Sequence, residues 1–138
     1  MTFQCPQTPT IGDGVAVDWT PIGWSLRTTR AFARGEVITQ YCGRLLSRKE
    51  ASHTTRTSHL CSTRGRGEVI DGLKRPIRGV GGGSFANHSD NPNARILRTV
   101  QGVFLQATSL LSPGQTITIR YSPLSCESFT TTHGENGR

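Results

Sequence analysis

The sequence predicts one mostly-β domain assembled from short strands with very little helix. Three observations carry the prediction. Apolar and β-branched residues come in short alternating runs, not in the longer 3.6-residue period of an amphipathic helix. Sixteen glycines and seven prolines break those runs, and they supply turn conformations that helix interiors reject. Hydrophobic residues make up only 33% of the 138 residues, which suits the modest core of a single compact domain.

Taken in order, residues 1–10 are polar, carry Pro6 and Pro9 and show no period, so they read as a flexible N-terminal segment. Val15 to Trp19 reads as a short strand, Thr20-Pro21-Ile22-Gly23 as a turn, and Trp24 to Thr28 as a second strand that alternates large apolar with polar residues. Arg34-Gly35-Glu36 is a turn. Val37 to Cys42, β-branched and aromatic, reads as a third strand ended by Gly43. Ser47 and Glu50 have the capping-box spacing and predict a short helix. Residues 52–67 are polar and aperiodic, a loop with a short strand placed at Ser58 to Cys61. Glu68 to Asp71 is a strand closed by Gly72. Ala94 to Val100 and Gly102 to Ala107 bracket a hairpin turn at Gln101-Gly102. Leu110 to Gln115 is a turn, and Thr116 to Tyr121 alternates strictly, the clearest strand in the chain. Beyond Pro123 the tail is polar and reads as frayed.

Composition narrows the function classes. No apolar run approaches the length of a membrane helix, and Met1-Thr2-Phe3-Gln4 opens no basic-then-apolar signal. The four cysteines, at 5, 42, 61 and 126, form no Cys-x-x-Cys pair and no zinc spacing. Reduced thiols and an intracellular setting, nucleus or cytoplasm, are therefore expected, with no metal and no membrane partner. The net charge of +7 comes almost wholly from arginine. Such a balance admits nucleic acid as a partner. The arginines are scattered, however, and the denser groups, Arg64-Gly65-Arg66 and Lys74-Arg75 with Arg78, have little aromatic interleaving.

One stretch carries more hydrogen-bonding side chains than a turn needs: Ser84-Phe85-Ala86-Asn87-His88-Ser89-Asp90-Asn91-Pro92-Asn93. By composition alone it is a polar loop with Asx-type turns. It follows a glycine run, Gly79 and Gly81 to Gly83, and it has company elsewhere. Gly23-Trp24-Ser25-Leu26 leads into Ala31 to Ile38 and Tyr41-Cys42-Gly43. Leu111-Ser112-Pro113-Gly114-Gln115 leads into Thr116 to Tyr121. Together the three pieces resemble the SET domain of protein lysine methyltransferases, over residues 11–122. The central piece follows that family's Asn-His-Ser-x-x-Pro-Asn pattern.

The resemblance implies a fold of small curved β-sheets with a knot-like C-terminal threading, in which the Asn87–His88 stretch meets the Tyr121 strand. It implies S-adenosyl-L-methionine as methyl donor in a surface cleft, and a protein substrate, a histone tail or another lysine-containing protein, entering from the opposite face. Gly23, Trp24 and Ser25 match the Gly-x-Gly motif that lies against the cofactor. Serine is a departure, whose Cβ crowds the cofactor or whose hydroxyl adds a hydrogen bond. Asn87 and His88 match the cofactor-contacting pair, and Asp90 stands where a cysteine is common. Tyr121 matches the catalytic tyrosine. Tyr41 matches an aromatic that walls the lysine channel. Ile119 stands where relatives carry Phe or Tyr and, lacking a hydroxyl, implies di- or trimethylation. Many histone-directed relatives carry zinc-binding cysteine segments around the domain; here only Cys126 follows it. In residues 123–138 Phe129 is the candidate to cover the cofactor, failing which a partner or a second copy of the chain, as a homodimer, completes the site. A silent module that binds protein or nucleic acid is the alternative from another class.

Overall fold

The computed structural model describes residues 14–52, 60–63, 68–77 and 80–121. In chain order the elements are β1 (Val15–Thr20), β2 (Gly23–Thr28), β3 (Val37–Gln40), β4 (Gly43–Ser47), α1 (Arg48–Ser52), β5 (Leu60–Ser62), β6 (Glu68–Gly72), a 3₁₀ turn (Gly83–Phe85), β7 (Asn87–His88), β8 (Ala94–Thr99), β9 (Gly102–Ala107) and β10 (Thr118–Ile119). They form four small sheets: β1-β2, β3-β9-β8 and β4-β6-β5, all antiparallel, and a parallel pair of β7 and β10. The domain is mostly β with little helix, as its residue pattern implies.

The main core joins residues from several of these pieces. Leu26, Phe32, Ile38, Leu105, Leu111 and Ile117 have almost no exposed surface and belong to one apolar cluster. Burying side chains of this size stabilises the fold by roughly 1.5–3 kcal/mol each relative to exposure. The capping box forms as the spacing requires. The Ser47 amide donates to Glu50 Oε1 at 2.8 Å, and the Glu50 amide donates to Ser47 Oγ at 3.1 Å.

Three sequence expectations are corrected. The run Val37 to Cys42 is not one strand closed by Gly43. It changes sheets: the Tyr41 amide still donates to Val103 O in β9 (2.7 Å), whereas Cys42 O already accepts from Leu73 beyond β6 (3.2 Å), and Gly43 opens β4. The run Thr116 to Tyr121 is a strand only at Thr118–Ile119. Its hydrogen bonds are shared between two neighbours, with Thr116 bridging Arg27 and the Ile117 amide donating to Leu26 O before the chain pairs with β7. Alternation signals a two-faced segment and does not say how many strands it serves. Third, Cys42 is disulfide-bonded, so reduced thiols throughout is wrong; Cys61 is a buried thiol. Pairing depends on tertiary proximity, which scattered cysteines do not encode locally. The expected strand at Ser58 to Cys61 begins at Leu60, and residues 53–59 lie outside the described residues.

The glycine run has a packing reason. A Cβ at Gly81 would approach the Gln40 carbonyl oxygen to 2.5 Å, and one at Gly83 would lie 2.9 Å from Tyr41 Cα. Only glycine lets this segment lie flat on the Gln40–Tyr41 backbone. The following polar loop is then tied down by Asn93. Its Oδ1 accepts from the Thr118 amide at 2.8 Å, and its Nδ2 donates to Thr116 O at 2.9 Å.

Asn93→Asp keeps the acceptor but replaces the donor with a carboxylate oxygen facing a carbonyl. The expected outcome is a loss of about 1–3 kcal/mol, read as a lower Tm. An unchanged Tm would show that the clamp contributes nothing.

Candidate active site

The β1–β2 hairpin and the Asn87 segment enclose an open cleft of about 740 Å³, lined by Trp19, Ile22, Gly23, Trp24, Lys74, Arg75, Ser84, Phe85, Asn87 and Tyr121. The hairpin shapes one wall. Its two-residue turn exits through Gly23 at a φ of 111°, a conformation open to glycine and strained for other residues. The turn is stapled by Thr20, whose hydroxyl donates to Gly23 O at 2.7 Å and accepts from the Ile22 amide at 3.2 Å. Trp24 meets Trp19 edge to face, with ring centroids 4.9 Å apart, so two indoles line the same cleft.

The opposite wall is carried by Asn87 of the β7–β10 pair. Asn87 and His88 register with Thr118 and Ile119, and the Ser89 amide donates to Ile119 O at 2.9 Å. Asn87 Nδ2 donates to Ser25 Oγ at 2.9 Å, tying the two walls together. Ser25 is buried and does not line the cleft. Its hydroxyl is engaged by Asn87. His88 does not line the cleft either. Its Nδ1 accepts from the Tyr121 amide at 2.9 Å and its Nε2 meets Asp90 Oδ1 at 3.1 Å. The His88 and Tyr121 rings are 5.4 Å apart.

Tyr121 reaches the cleft with its hydroxyl donating to Ala86 O at 2.7 Å. Tyr41 and Ile119 are buried at 4% exposure each and lie outside the cleft lining. Tyr41 is close enough to Tyr121 for the two phenols to interact electrostatically. Phe129 lies outside the described residues. Sequence reasoning missed Trp19, Ile22, Lys74, Arg75, Phe85 and the Ala86 carbonyl. Phe85 and Ala86 stand inside the singled-out stretch, and Trp19 and Ile22 flank its partner turn, so proximity in sequence was a usable signal for these. Lys74 and Arg75 arrive only through tertiary folding. Lys74 is paired with Asp71 at 2.8 Å. Among the described residues no group of three or more His, Cys, Asp or Glu side chains could hold a metal ion, and no helix is long and apolar enough to cross a membrane.

Burial pushes the Tyr41 phenol well above its ordinary value and raises that of Tyr121 as well. Both stay neutral donors through the whole physiological range. These are the chain's two tyrosines, so absorbance at tyrosinate wavelengths reads them alone. Tyr41 should stay un-ionised in the native protein at pH 10, where free tyrosine titrates at about 10, whereas Tyr121, 40% exposed, ionises ahead of it. Because the folded Tyr41 value is raised, the stability it confers is present below the unfolded value and is lost as pH rises through the folded one, so its ionisation and alkaline unfolding should coincide. A tyrosinate signal at ordinary pH in the folded protein would contradict the burial.

A family model for the SET domain matches residues 23–122. No curated protein matches the chain. The match spans well over half of the chain, from the first wall of the cleft to the residue after its tyrosine, and the chain belongs to the SET-domain family.

Proposed function

We propose that the protein is an S-adenosylmethionine-dependent protein-lysine N-methyltransferase. The observation that carries this reading is the Tyr121 hydroxyl, held at the cleft by the Ala86 carbonyl beside Asn87. The lining suits the donor's chemistry. Trp19, Trp24 and Phe85 offer flat apolar faces for a purine, Asn87 an amide, and Lys74 and Arg75 positive charge for a carboxylate. When bound, that group supplies an electrophilic methyl carbon on a sulfonium.

The chain's own residues then have definable tasks. Tyr121 has its proton committed to Ala86 O, so its remaining lone pairs accept. It can hold an amine N–H and leave the nitrogen lone pair aimed at the cleft. A lysine amine, with an ordinary pKa of about 10.4, must arrive neutral. Buried surroundings such as those of Tyr41 and Ile119 disfavour its charged form and keep water away. Alignment of amine and methyl carbon is the main source of acceleration. Ile119, paired with His88 in the ladder, brings no hydroxyl to hold a water where a methyl would sit, which favours di- and trimethyl-lysine. The substrate is a lysine-bearing protein, a histone or another, and the setting nucleus or cytoplasm.

Transfer of labelled methyl groups to core histones and to a mixed cell extract is the test. Tyr121→Phe should lower the rate about 10²-fold through lost alignment while leaving calorimetric cofactor binding intact. An equally active Tyr121→Phe would sink the assigned role. No transfer and no cofactor binding would sink the function. Mass spectrometry of the product should show di- or trimethyl-lysine, and monomethyl-lysine alone would refute the reading of Ile119. Arg75→Ala should weaken cofactor binding about fivefold, the scale of one exposed charge contact, and unchanged affinity would remove Arg75 from the site.

A further inference from the structure

We propose that His88 is the positioning residue for Tyr121. It acts only as a neutral ring with its proton on Nε2, and a second proton releases the Tyr121 backbone and lowers methyl transfer. The rate part of this proposal rests on the methyltransferase reading; the tautomer does not.

The argument starts from which groups can only donate and which can only accept. The Tyr121 amide is a donor without acceptor capacity, and it lies 2.9 Å from His88 Nδ1. Nδ1 must therefore present its lone pair. Nε2 lies 3.1 Å from a carboxylate oxygen of Asp90, which only accepts when ionised. The two partners fix the same tautomer from opposite sides of the ring. A second proton has one place to go, Nδ1. There it would face the Tyr121 N–H, donor against donor, and the hydrogen bond is lost.

That bond matters because of where the ladder ends. The last backbone bond of the parallel pair runs from the Ser89 amide to Ile119 O. Beyond it, among the described residues, the Tyr121 main chain is held by the His88 ring and its side chain by Ala86 O. Losing the first leaves the hydroxyl as a single anchor at the end of a free backbone. Among the described residues, Asp90, on its own segment, faces Nε2. Arg120, on the segment opposite, donates to Asp90 O at 2.7 Å and lies 3.8 Å from Asp90 Oδ1. The Tyr121 phenol stays neutral. The side chain of His88 is 41% exposed, so protons from solvent reach it.

Two readouts test the proposal. Nitrogen-15 NMR of the histidine side chains, with the His88 signal assigned by its loss in His88→Asn, should show Nδ1 bare and Nε2 protonated. An Nδ1–H tautomer overturns the proposal outright. The second readout is the ratio of wild-type to His88→Asn methyl-transfer rates between about pH 5 and 8, the range in which histidines change charge. The asparagine oxygen can accept from the Tyr121 amide and does not titrate, and ionisation of the substrate lysine cancels in the ratio. The ratio should fall about tenfold towards acid, the scale of one lost hydrogen bond, and a flat ratio overturns the proposal. If His88→Asn does not fold, Asp90→Asn takes its place. There the carboxamide can turn its NH₂ towards Nε2 and no longer selects the Nε2–H tautomer, so the rate should fall relative to wild type at every pH tested, and an unchanged rate overturns the proposal. Absence of transfer from the wild-type protein would instead overturn the methyltransferase reading, so the two failures are distinguishable.

Discussion

The short parallel ladder between Asn87–His88 and Thr118–Ile119 is the constraint on which the site depends. Two residues a side is too little backbone pairing to hold by itself, and its strands are far apart in sequence, so forming it requires closing a long loop. Side chains make up the deficit. Asn93 bonds both Thr118 and Thr116, Thr118 Oγ1 returns a contact to the Asn93 amide at 3.2 Å, and the Ile117 amide borrows Leu26 O from the hairpin. The polar stretch is thus stiff because its amides replace the strand neighbours that a longer sheet would provide. Its polarity is a structural requirement first, and the cleft inherits the rigidity.

From that ladder the cleft follows by geometry. The ladder fixes Asn87, Asn87 fixes Ser25 across the gap, and Ser25 lies on the strand that Gly23 and Trp24 begin. At the far end the ladder presents the Ala86 carbonyl to the Tyr121 hydroxyl. A neutral phenol pinned by its own proton is a fixed acceptor, and fixed acceptors need no reorganisation when a reacting group arrives. Tyr41 behind it makes the arrangement fragile to alkali, because ionising that phenol, 4% exposed, would place a charge where the fold offers little solvation.

Much of this was legible in the chain. Alternation and turn residues located the β1–β2 and β8–β9 hairpins, and the capping spacing of Ser47 and Glu50 located α1, because these are local signals with local causes. What the sequence could not show was where a segment changes partner. Tyr41-Cys42 looks like the end of a strand and is a crossing between sheets. Thr116 to Tyr121 looks like a full strand and divides its hydrogen bonds between β2 and β7. Both misreadings come from tertiary pairing, which leaves no period of its own. The candidate residues divide in the same way. Gly23, Trp24, Asn87 and Tyr121 share one cleft, Ser25 and His88 stand just behind it, and Lys74 and Arg75 joined them through a fold-back that no motif announces. The disulfide at Cys42 was illegible for the same reason.

Two of the positions at which the chain departs from the motifs it resembles take on a different meaning in this setting. Ser25 and Asp90 each hydrogen-bond one member of the Asn87–His88 pair, Ser25 receiving the Asn87 amide and Asp90 facing His88 Nε2. Glycine at position 25 would leave the half-buried Asn87 donor without that acceptor, at a cost of about 0.5–1.5 kcal/mol. Cysteine at position 90 is a weak hydrogen-bonding partner and would not select the Nε2–H tautomer as a carboxylate does. The departures therefore complete the polar network in the terms this chain uses. A substitution towards the family pattern at either position should be judged by what it does to Asn87 or His88, since neither side chain lines the cleft itself.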